Sequence, residues 1–246
     1  MSRTPIVLIH GLMGSLDDPA IHACLSDRAV LAPDLLGYGE FSATPTARLS
    51  ITAQVAHVHR LVTEHFGAGP VHLLGHSMGG AIAPLFAAAH PHLVATIIDV
   101  EGNFTLKDAF WSVQLARMTQ GEAEGMLVRQ RADPATWLAR SGIAVNERTL
   151  ASAHDWLHLQ PASTLRAMGT ALVDTTSKPD YLESVRKVFA THSVHLVAGG
   201  RSRDGWDTPE WALAQAKSLT VMPGCGHLMM LDDPEGFGRV VAGLLD

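Results

Sequence analysis

The stretch Val71-His72-Leu73-Leu74-Gly75-His76-Ser77-Met78-Gly79-Gly80 decides the expected fold. The mostly apolar residues 71–74 predict a buried strand, and the alanine-rich segment from Ala81 predicts a helix. Glycines on both sides of Ser77 permit a sharp turn between the two, because a Cβ there would collide with the neighbouring chain. Such a turn holds the serine in a strained conformation with its hydroxyl exposed. This is the Gly-x-Ser-x-Gly arrangement of a nucleophilic serine.

Length and composition limit the class of protein. The chain has 246 residues, which suits one well-buried domain. Its formal net charge of −6 argues against a nucleic-acid partner, because binding phosphates requires a basic surface. No apolar run approaches the roughly 18 residues that span a bilayer, and the first residues show no signal-peptide pattern. Cys24 and Cys225 lie far apart, so we expect no disulfide framework and a cytoplasmic location. No Cys-x-x-Cys grouping suggests a metal site, so we expect no metal, and we expect no cofactor.

Short apolar runs alternate with helical patterns along most of the chain. The expected strands cover residues 6–9, 29–32, 71–74, 95–100, 194–198 and 219–222. The helices between them have a period near 3.6; the first runs from the N-cap Ser50 to about Phe66. Short connections between alternating strands and helices predict a parallel sheet covered on both faces.

The alternation of strands and helices stops after Asn103 and resumes with the strand that begins at Val194. The intervening segment contains helical patterns with large apolar residues and no strand-like run. Core packing explains most such residues, but an insertion of this size at a sheet edge indicates a cover over a binding site. We therefore predict a core of residues 1–103 and 189–246 and a helical cap of residues 104–188. The residues expected to contact substrate are Met13, His76, Phe104, Trp111, Trp137 and Trp156.

A serine hydroxyl needs a neighbouring base before it can act as a nucleophile. His227 is the candidate, because it follows the last predicted strand in the turn Gly224-Cys225-Gly226-His227. Ser77 and His227 both lie beyond the carboxyl ends of parallel strands, where reactive groups collect.

The base needs a carboxylate to orient it, and the reacting carbonyl needs hydrogen-bond donors. Two acids at strand ends qualify: Glu101, which is 24 residues beyond Ser77, and Asp204. The expected donors are the backbone N–H groups of Met78 and of Leu12, which lies in a glycine-rich loop after the first strand.

These motifs together resemble the α/β-hydrolase superfamily. The matching stretches are His10-Gly11-Leu12-Met13-Gly14-Ser15, Asp34-Leu35-Leu36-Gly37-Tyr38-Gly39, Gly75-His76-Ser77-Met78-Gly79-Gly80 and Gly224-Cys225-Gly226-His227. The resemblance implies an α/β-hydrolase fold with helices on both faces of the sheet and a helical cap insertion. The family's first two strands have no counterpart before residue 6, which implies about six strands, all or mostly parallel.

The family's usual acid stands in a Gly-x-x-Asp loop after the penultimate strand, but here Arg203 occupies that position and Asp204 follows it. Some superfamily members, including haloalkane dehalogenases and zearalenone-type lactonases, take the acid from the strand that ends here at Val100. The stretch around Glu101 also resembles a bacterial subgroup of uncharacterised hydrolases that often lacks the later acid. The resemblance thus favours Glu101 over Asp204.

The sequence therefore predicts a serine hydrolase that cleaves a carboxylic ester or lactone of an apolar small molecule through an acyl-enzyme on Ser77. Thioester hydrolysis, C–C bond hydrolysis and cofactor-free perhydrolysis use the same residues and stay as alternatives. A second alternative is a non-catalytic ligand receptor on the same fold. No oligomeric state is predicted.

Overall fold

A sheet of six parallel strands carries the elements that position the site. The strands are β1 (Arg3–Ile9), β2 (Arg28–Leu31), β3 (Val71–His76), β4 (Val94–Val100), β5 (Ser193–Gly199) and β6 (Ser218–Met222). Their spatial order is β2-β1-β3-β4-β5-β6, and all five pairings are parallel. This computed structural model describes residues 3–245; residues 1, 2 and 246, which the sequence assigns to the core, lie outside the described residues. The expected six-stranded parallel sheet is confirmed.

Strand order reverses between β1 and β3, because β2 lies on one side of β1 and all later strands lie on the other. The loops after β1 and β3 therefore diverge and leave a crevice at the carboxyl edge of the sheet, where ligands bind in open α/β folds. The glycine-rich loop after β1 and Ser77 after β3 both lie at that edge.

The helices of residues 3–245 pack on both faces of the sheet or lie between β4 and β5. They are α1 (Pro19–Cys24), α2 (Ile51–Phe66), α3 (Met78–Ala89), α4 (Phe110–Arg117), α5 (Gln120–Ala132), α6 (Pro134–Arg140), α7 (Glu147–His158), α8 (Ala162–Thr176), α9 (Pro179–Thr191), α10 (Glu210–Gln215), α11 (Met229–Asp232) and α12 (Pro234–Gly243). No helix in this part of the chain combines the length and apolar character needed to cross a bilayer.

Successive strand residues point to opposite faces, so each face has its own core. On β1, Ile6 and Leu8 belong to a cluster with α1 and α12. Val7 and Ile9 belong to a second cluster with α2, α3 and α9. Burial on both faces explains why the strands read as continuous apolar runs instead of alternating patterns.

Helices α4 to α9 form the insertion between β4 and β5. Helices α4 and α5 pack against α8, and α6 packs against α7. Buried leucines of these helices, including Leu115, Leu127 and Leu165, share one cluster with the sheet face that carries Val7. Helix α9 packs against α3 and crosses the cap boundary expected at residue 188. The insertion and the sheet thus share a continuous core, and the division into a core and an inserted cap stays a prediction.

Candidate active site

Ser77 lies in the turn between β3 and α3. Its backbone has φ 53° and ψ −117°, a conformation that residues with a side chain rarely adopt. Close packing imposes this turn: a Cβ on Gly75 would lie 2.2 Å from the carbonyl oxygen of Gly79, and one on Gly79 would lie 2.1 Å from that of Ile9. Helix α3 therefore meets β3 and β1 at distances that only glycine permits, and the strain falls on the serine.

His227 and Glu101 form the hydrogen-bonded pair of the site. Nδ1 of His227 lies 2.6 Å from Oε2 of Glu101. The carboxylate side chain is 3% exposed and the imidazole is 44% exposed. A buried carboxylate at Nδ1 fixes the proton there and leaves Nε2 as a proton acceptor.

Three hydrogen bonds hold the carboxylate of Glu101. Its Oε1 accepts from the N–H of Gly199 at 2.8 Å and from the hydroxyl of Ser202 at 2.6 Å, while Oε2 contacts His227. Burial by itself would raise the pKa of Glu101, but the hydrogen bonds and the attraction to His227 outweigh it and hold the pKa below its usual value. Glu101 is therefore an ionised, oriented acceptor.

Asp204, the other candidate acid, lies in a short 3₁₀ turn at Arg203–Gly205 and is exposed to solvent. Among residues 3–245 it forms no hydrogen bond or ion pair with His227, whereas Glu101 does. The structure thus brings Glu101, and not Asp204, to the histidine.

Two backbone N–H groups flank the serine. Met78 is the first residue of α3, and Leu12 lies in the loop after β1; within the described chain neither N–H donates to a protein acceptor. The hydroxyl of the buried Tyr38 donates to the carbonyl oxygen of Leu12 at 2.9 Å, which fixes the loop. The ring of His10 packs edge-on against Tyr38, with centroids 4.7 Å apart. Both N–H groups are thus available to a ligand.

A cavity of about 610 Å³ opens at this edge of the sheet. Ser77, Glu101 and His227 all line it, with Leu12 beside them. Its apolar lining includes Met13, Phe110, Trp111, Trp137, Trp206 and Leu228. Its polar lining includes Asn103, Asp108, Gln130, Arg140, Ser141 and Arg201. In residues 3–245 no group of three or more His, Cys, Asp or Glu side chains is arranged to hold a metal ion.

Comparison with known proteins identifies the family and the fold. Residues 6–240 match the model of the alpha/beta hydrolase family. The chain belongs to this family. It is 34% identical over 261 residues to an uncharacterised protein of Mycobacterium tuberculosis H37Rv, an alignment that covers all of this chain and 76% of that one. An esterase of Exiguobacterium antarcticum has the same fold, with a TM-score of 0.71, 19% identity and coverage of 99% of this chain and 92% of that one.

Lipase 1 of Psychrobacter immobilis is 33% identical over 134 residues, which cover 52% of this chain. The chain spans about two-fifths of the length of this lipase and of a second curated lipase that it matches. The family membership and the fold expected from the sequence are confirmed.

The cavity of this alpha/beta hydrolase includes four of the six residues expected to contact substrate, namely Met13, His76, Trp111 and Trp137. Phe104 is 1% exposed and packs behind the wall, with its ring 5.9 Å from that of Trp206. Trp156 packs on the loop after β1, where a Cβ on Gly14 would lie 2.5 Å from its ring. These two residues are not in the cavity lining, and apolar patterning in the sequence does not separate a cavity wall from the layer behind it.

His76 lines the cavity but also has a structural contact. Its Nε2 donates to the backbone carbonyl of His227 at 3.0 Å. Burial lowers the pKa of His76 well below its usual value, and repulsion by His227 adds to this. His76 is therefore neutral and supports the loop that carries His227.

Sequence reasoning missed several polar residues of the site. Ser202 follows β5 by three residues, so its position beyond a strand end was an available signal. Asn103 and Asp108 follow β4 in the same way, and Asn103 Nδ2 donates to Asp108. Gln130 and Arg140 lie on cap helices, and only the packing of the cap brings them to the cavity.

Replacing Ser202 by alanine removes one of the three hydrogen bonds to Glu101. Since a hydrogen bond to a charged group contributes about 1.5–3 kcal/mol, we expect kcat/KM to fall roughly 10-fold. Ser202→Thr should restore kcat/KM. Ser141→Ala serves as control: it is a second cavity serine, and among the described residues its hydroxyl donates to the carbonyl of Trp137 and not to Glu101. Equal losses in the two alanine variants would contradict the role given to Ser202.

The buried carboxyl group of Asp99 should make the free energy of unfolding depend on pH. It is 2% exposed on β4, where burial raises its pKa to about 8 although its Oδ1 accepts the N–H of Gly102 at 2.8 Å. The native state keeps a proton that the unfolded chain releases above pH 3.8. The free energy of unfolding should therefore fall as pH rises through about 4 to 8, by up to about 1.4 kcal/mol per pH unit.

Asp99→Asn retains an acceptor for Gly102 but does not titrate. Urea unfolding at pH 5, 6.5 and 8 should show a shallower decline in this variant than in the wild-type protein. An unchanged slope would mean that another group carries the proton.

Proposed function

We propose that this protein is a serine hydrolase that cleaves a carboxylic ester or lactone through an acyl-enzyme on Ser77. The observation that carries the proposal is one cavity lined by a strained serine, by a histidine and by the buried carboxylate bound to that histidine. Each element supplies a separate part of acyl transfer: nucleophile, base and orienting acid.

In the proposed first step, Oγ of Ser77 attacks the carbonyl carbon while Nε2 of His227 takes the hydroxyl proton. Glu101 stabilises the resulting imidazolium through its contact with Nδ1. The N–H groups of Leu12 and Met78 donate to the oxygen that becomes negative. Losing one such donor typically costs about 10²–10³ in rate. His227 then protonates the departing alkoxide, and the acyl group stays on Ser77.

In the second step His227 removes a proton from water, which attacks the acyl-enzyme. The acid leaves and the proton returns to Ser77. The same residues would hydrolyse a thioester, because only the leaving atom changes.

The cavity supports a small or medium-sized substrate with an apolar portion. Its volume of about 610 Å³ lies within the range of small-molecule sites. Trp111 and Trp137 come from the cap, and Met13 comes from the loop that carries the proposed oxyanion donor. A hydrocarbon chain against these side chains would leave the carbonyl group over Ser77.

The names of the relatives agree with ester chemistry. The Psychrobacter protein is a lipase and the Exiguobacterium protein an esterase.

A labelling and turnover experiment tests the proposal. A fluorophosphonate probe should modify Ser77, as located by peptide mass spectrometry, and p-nitrophenyl acetate and butyrate should be hydrolysed with many turnovers per protein. A panel of lactones and thioesters of graded chain length then ranks the substrates. A protein that takes the label at Ser77 but releases no product from any of them would be a ligand receptor instead. Labelling elsewhere would remove the assignment of the nucleophile.

A further inference from the structure

Four acidic or basic side chains other than histidines line the cavity: Glu101, Asp108, Arg140 and Arg201. Three of them have partners within the protein. Glu101 binds His227, as described above. The carboxylate of Asp108 accepts the N–H of Phe104 at 3.0 Å and the side-chain amide of Asn103 at 3.3 Å. Both acids thus use their oxygens inside the protein.

Arg201 is also engaged. Its Nη2 donates to Asp232 at 2.6 Å, and its Nη1 donates to the carbonyl oxygen of Gly142 in the cap. Asp232 in turn accepts the N–H of Gly226, next to His227. Arg201 therefore ties the cap to the loop of the catalytic histidine, and a carboxylate already balances its charge.

Arg140 differs from these three. It is the last residue of α6, two residues before Gly142, and it is exposed where it lines the cavity. Among residues 3–245 its guanidinium forms no hydrogen bond or ion pair at contact distance. The acid that Arg140 influences electrostatically is Asp133, at the opposite end of α6, and that carboxylate caps the helix by accepting the N–H of Thr136 at 3.0 Å. Arg140 thus lines the cavity with a guanidinium that has no hydrogen-bond or ion-pair partner among residues 3–245, and the acid that it influences is engaged as a helix cap.

We propose that Arg140 binds an anionic group of the substrate, so that the natural substrate is an ester whose acyl or alcohol part carries a carboxylate. This inference rests on the proposed hydrolase function and narrows its substrate class. A planar guanidinium donates two parallel hydrogen bonds to a carboxylate, and charge-assisted bonds of this kind are the strong ones. The tryptophans of the same wall would hold the hydrocarbon between the two polar ends. A guanidinium without an ion-pair partner also favours an anionic over a cationic group at its position in the cavity.

A pair of esters that differ only in charge tests the role of Arg140. The pair is mono-4-nitrophenyl glutarate, which ends in a carboxylate, and its neutral methyl ester. In the wild-type protein, mono-4-nitrophenyl glutarate should have a higher kcat/KM than its methyl ester. Arg140→Gln should lower kcat/KM for the acid about 10- to 100-fold, mainly through KM, and change that for the methyl ester less than about twofold. Arg140→Lys keeps the positive charge but loses the pair of parallel N–H donors. Its kcat/KM for the charged ester should therefore lie between those of the wild-type protein and Arg140→Gln.

Arg186→Gln, an exposed arginine on α9 outside the cavity lining, is the matched control and should leave both rates unchanged. If Arg140→Gln affects both esters equally, or neither, the inference is overturned while the hydrolase proposal stands.

A binding measurement keeps the inference testable without turnover. By calorimetric titration, 5-oxohexanoate, an unhydrolysable ketone acid, should bind the wild-type protein more tightly than 5-oxohexanamide, and Arg140→Gln should remove that difference. An affinity that Arg140→Gln leaves unchanged overturns the role of Arg140, whatever the turnover assays give. Failure of the proposed function would instead appear as absence of turnover on both esters or as full activity in a variant that lacks the Ser77 hydroxyl.

Discussion

Ser77→Ala is expected to lower kcat for a p-nitrophenyl ester by about 10⁴- to 10⁶-fold, since removing the nucleophile removes the covalent route and leaves only binding and the backbone donors. KM should change little, because the cavity wall stays intact. Ser184→Ala is the matched control: its hydroxyl donates to the carbonyl of Asp180 within α9, away from the site. Activity above a few per cent of wild type in purified Ser77→Ala would show that another residue attacks the ester.

The same position carries a stability prediction. Alanine keeps a Cβ at φ 53°, ψ −117°, whereas glycine adopts this conformation without strain. Backbone strain of this kind costs about 1–3 kcal/mol, partly offset by the entropy that glycine loses on folding. Ser77→Gly should therefore be about 1 kcal/mol more stable than Ser77→Ala in urea unfolding. Equal stabilities would mean that the turn stores no strain.

The fold was predictable because the information for it is local. A buried strand next to a glycine-flanked serine and a helix requires the turn at Ser77, and the close contacts of Gly75 and Gly79 show why no other residue fits. The parallel sheet follows from strands that read as unbroken apolar runs with helices between them. The helical character of the cap was predictable, but which of its apolar residues line the cavity was not. Trp137 lines the cavity and Phe104 packs behind it, yet both give the same hydrophobic signal in the sequence.

The placement of Ser77 and His227 at the candidate site was predictable, because a motif fixes each of them beyond the end of a strand. The choice between Glu101 and Asp204 could not be made from spacing, because both follow strands at the same edge. Distance and burial separate them: one carboxylate is buried against the imidazole, and the other is exposed in a turn. Ser202 was missed because its contact is with Glu101, about 100 positions earlier in the chain. Arg140 was missed because only the packing of α6 brings it to the cavity.

Glu101→Gln is expected to lower kcat about 10⁴-fold. Glutamine has the same shape, and its carbonyl oxygen can still accept from Ser202 and from the N–H of Gly199. Its NH₂ then faces Nδ1 of His227, where it can only donate. The imidazole must carry its proton on Nε2, and it can no longer accept the proton of Ser77; a wrong tautomer of this kind costs about 10⁴ in rate.

Asp204→Asn is the matched control for this variant and should change kcat less than about twofold, because Asp204 is exposed and has no contact with His227 among the described residues. Both variants are assayed from pH 6 to pH 9 with one ester. The deficit of Glu101→Gln should persist across this range, since an amide does not titrate and the wild-type carboxylate, with its pKa held below the usual value, stays ionised throughout. If Asp204→Asn abolishes turnover while Glu101→Gln leaves it intact, the acid comes from the loop after β5, and the 2.6 Å contact between Glu101 and His227 has a structural role alone.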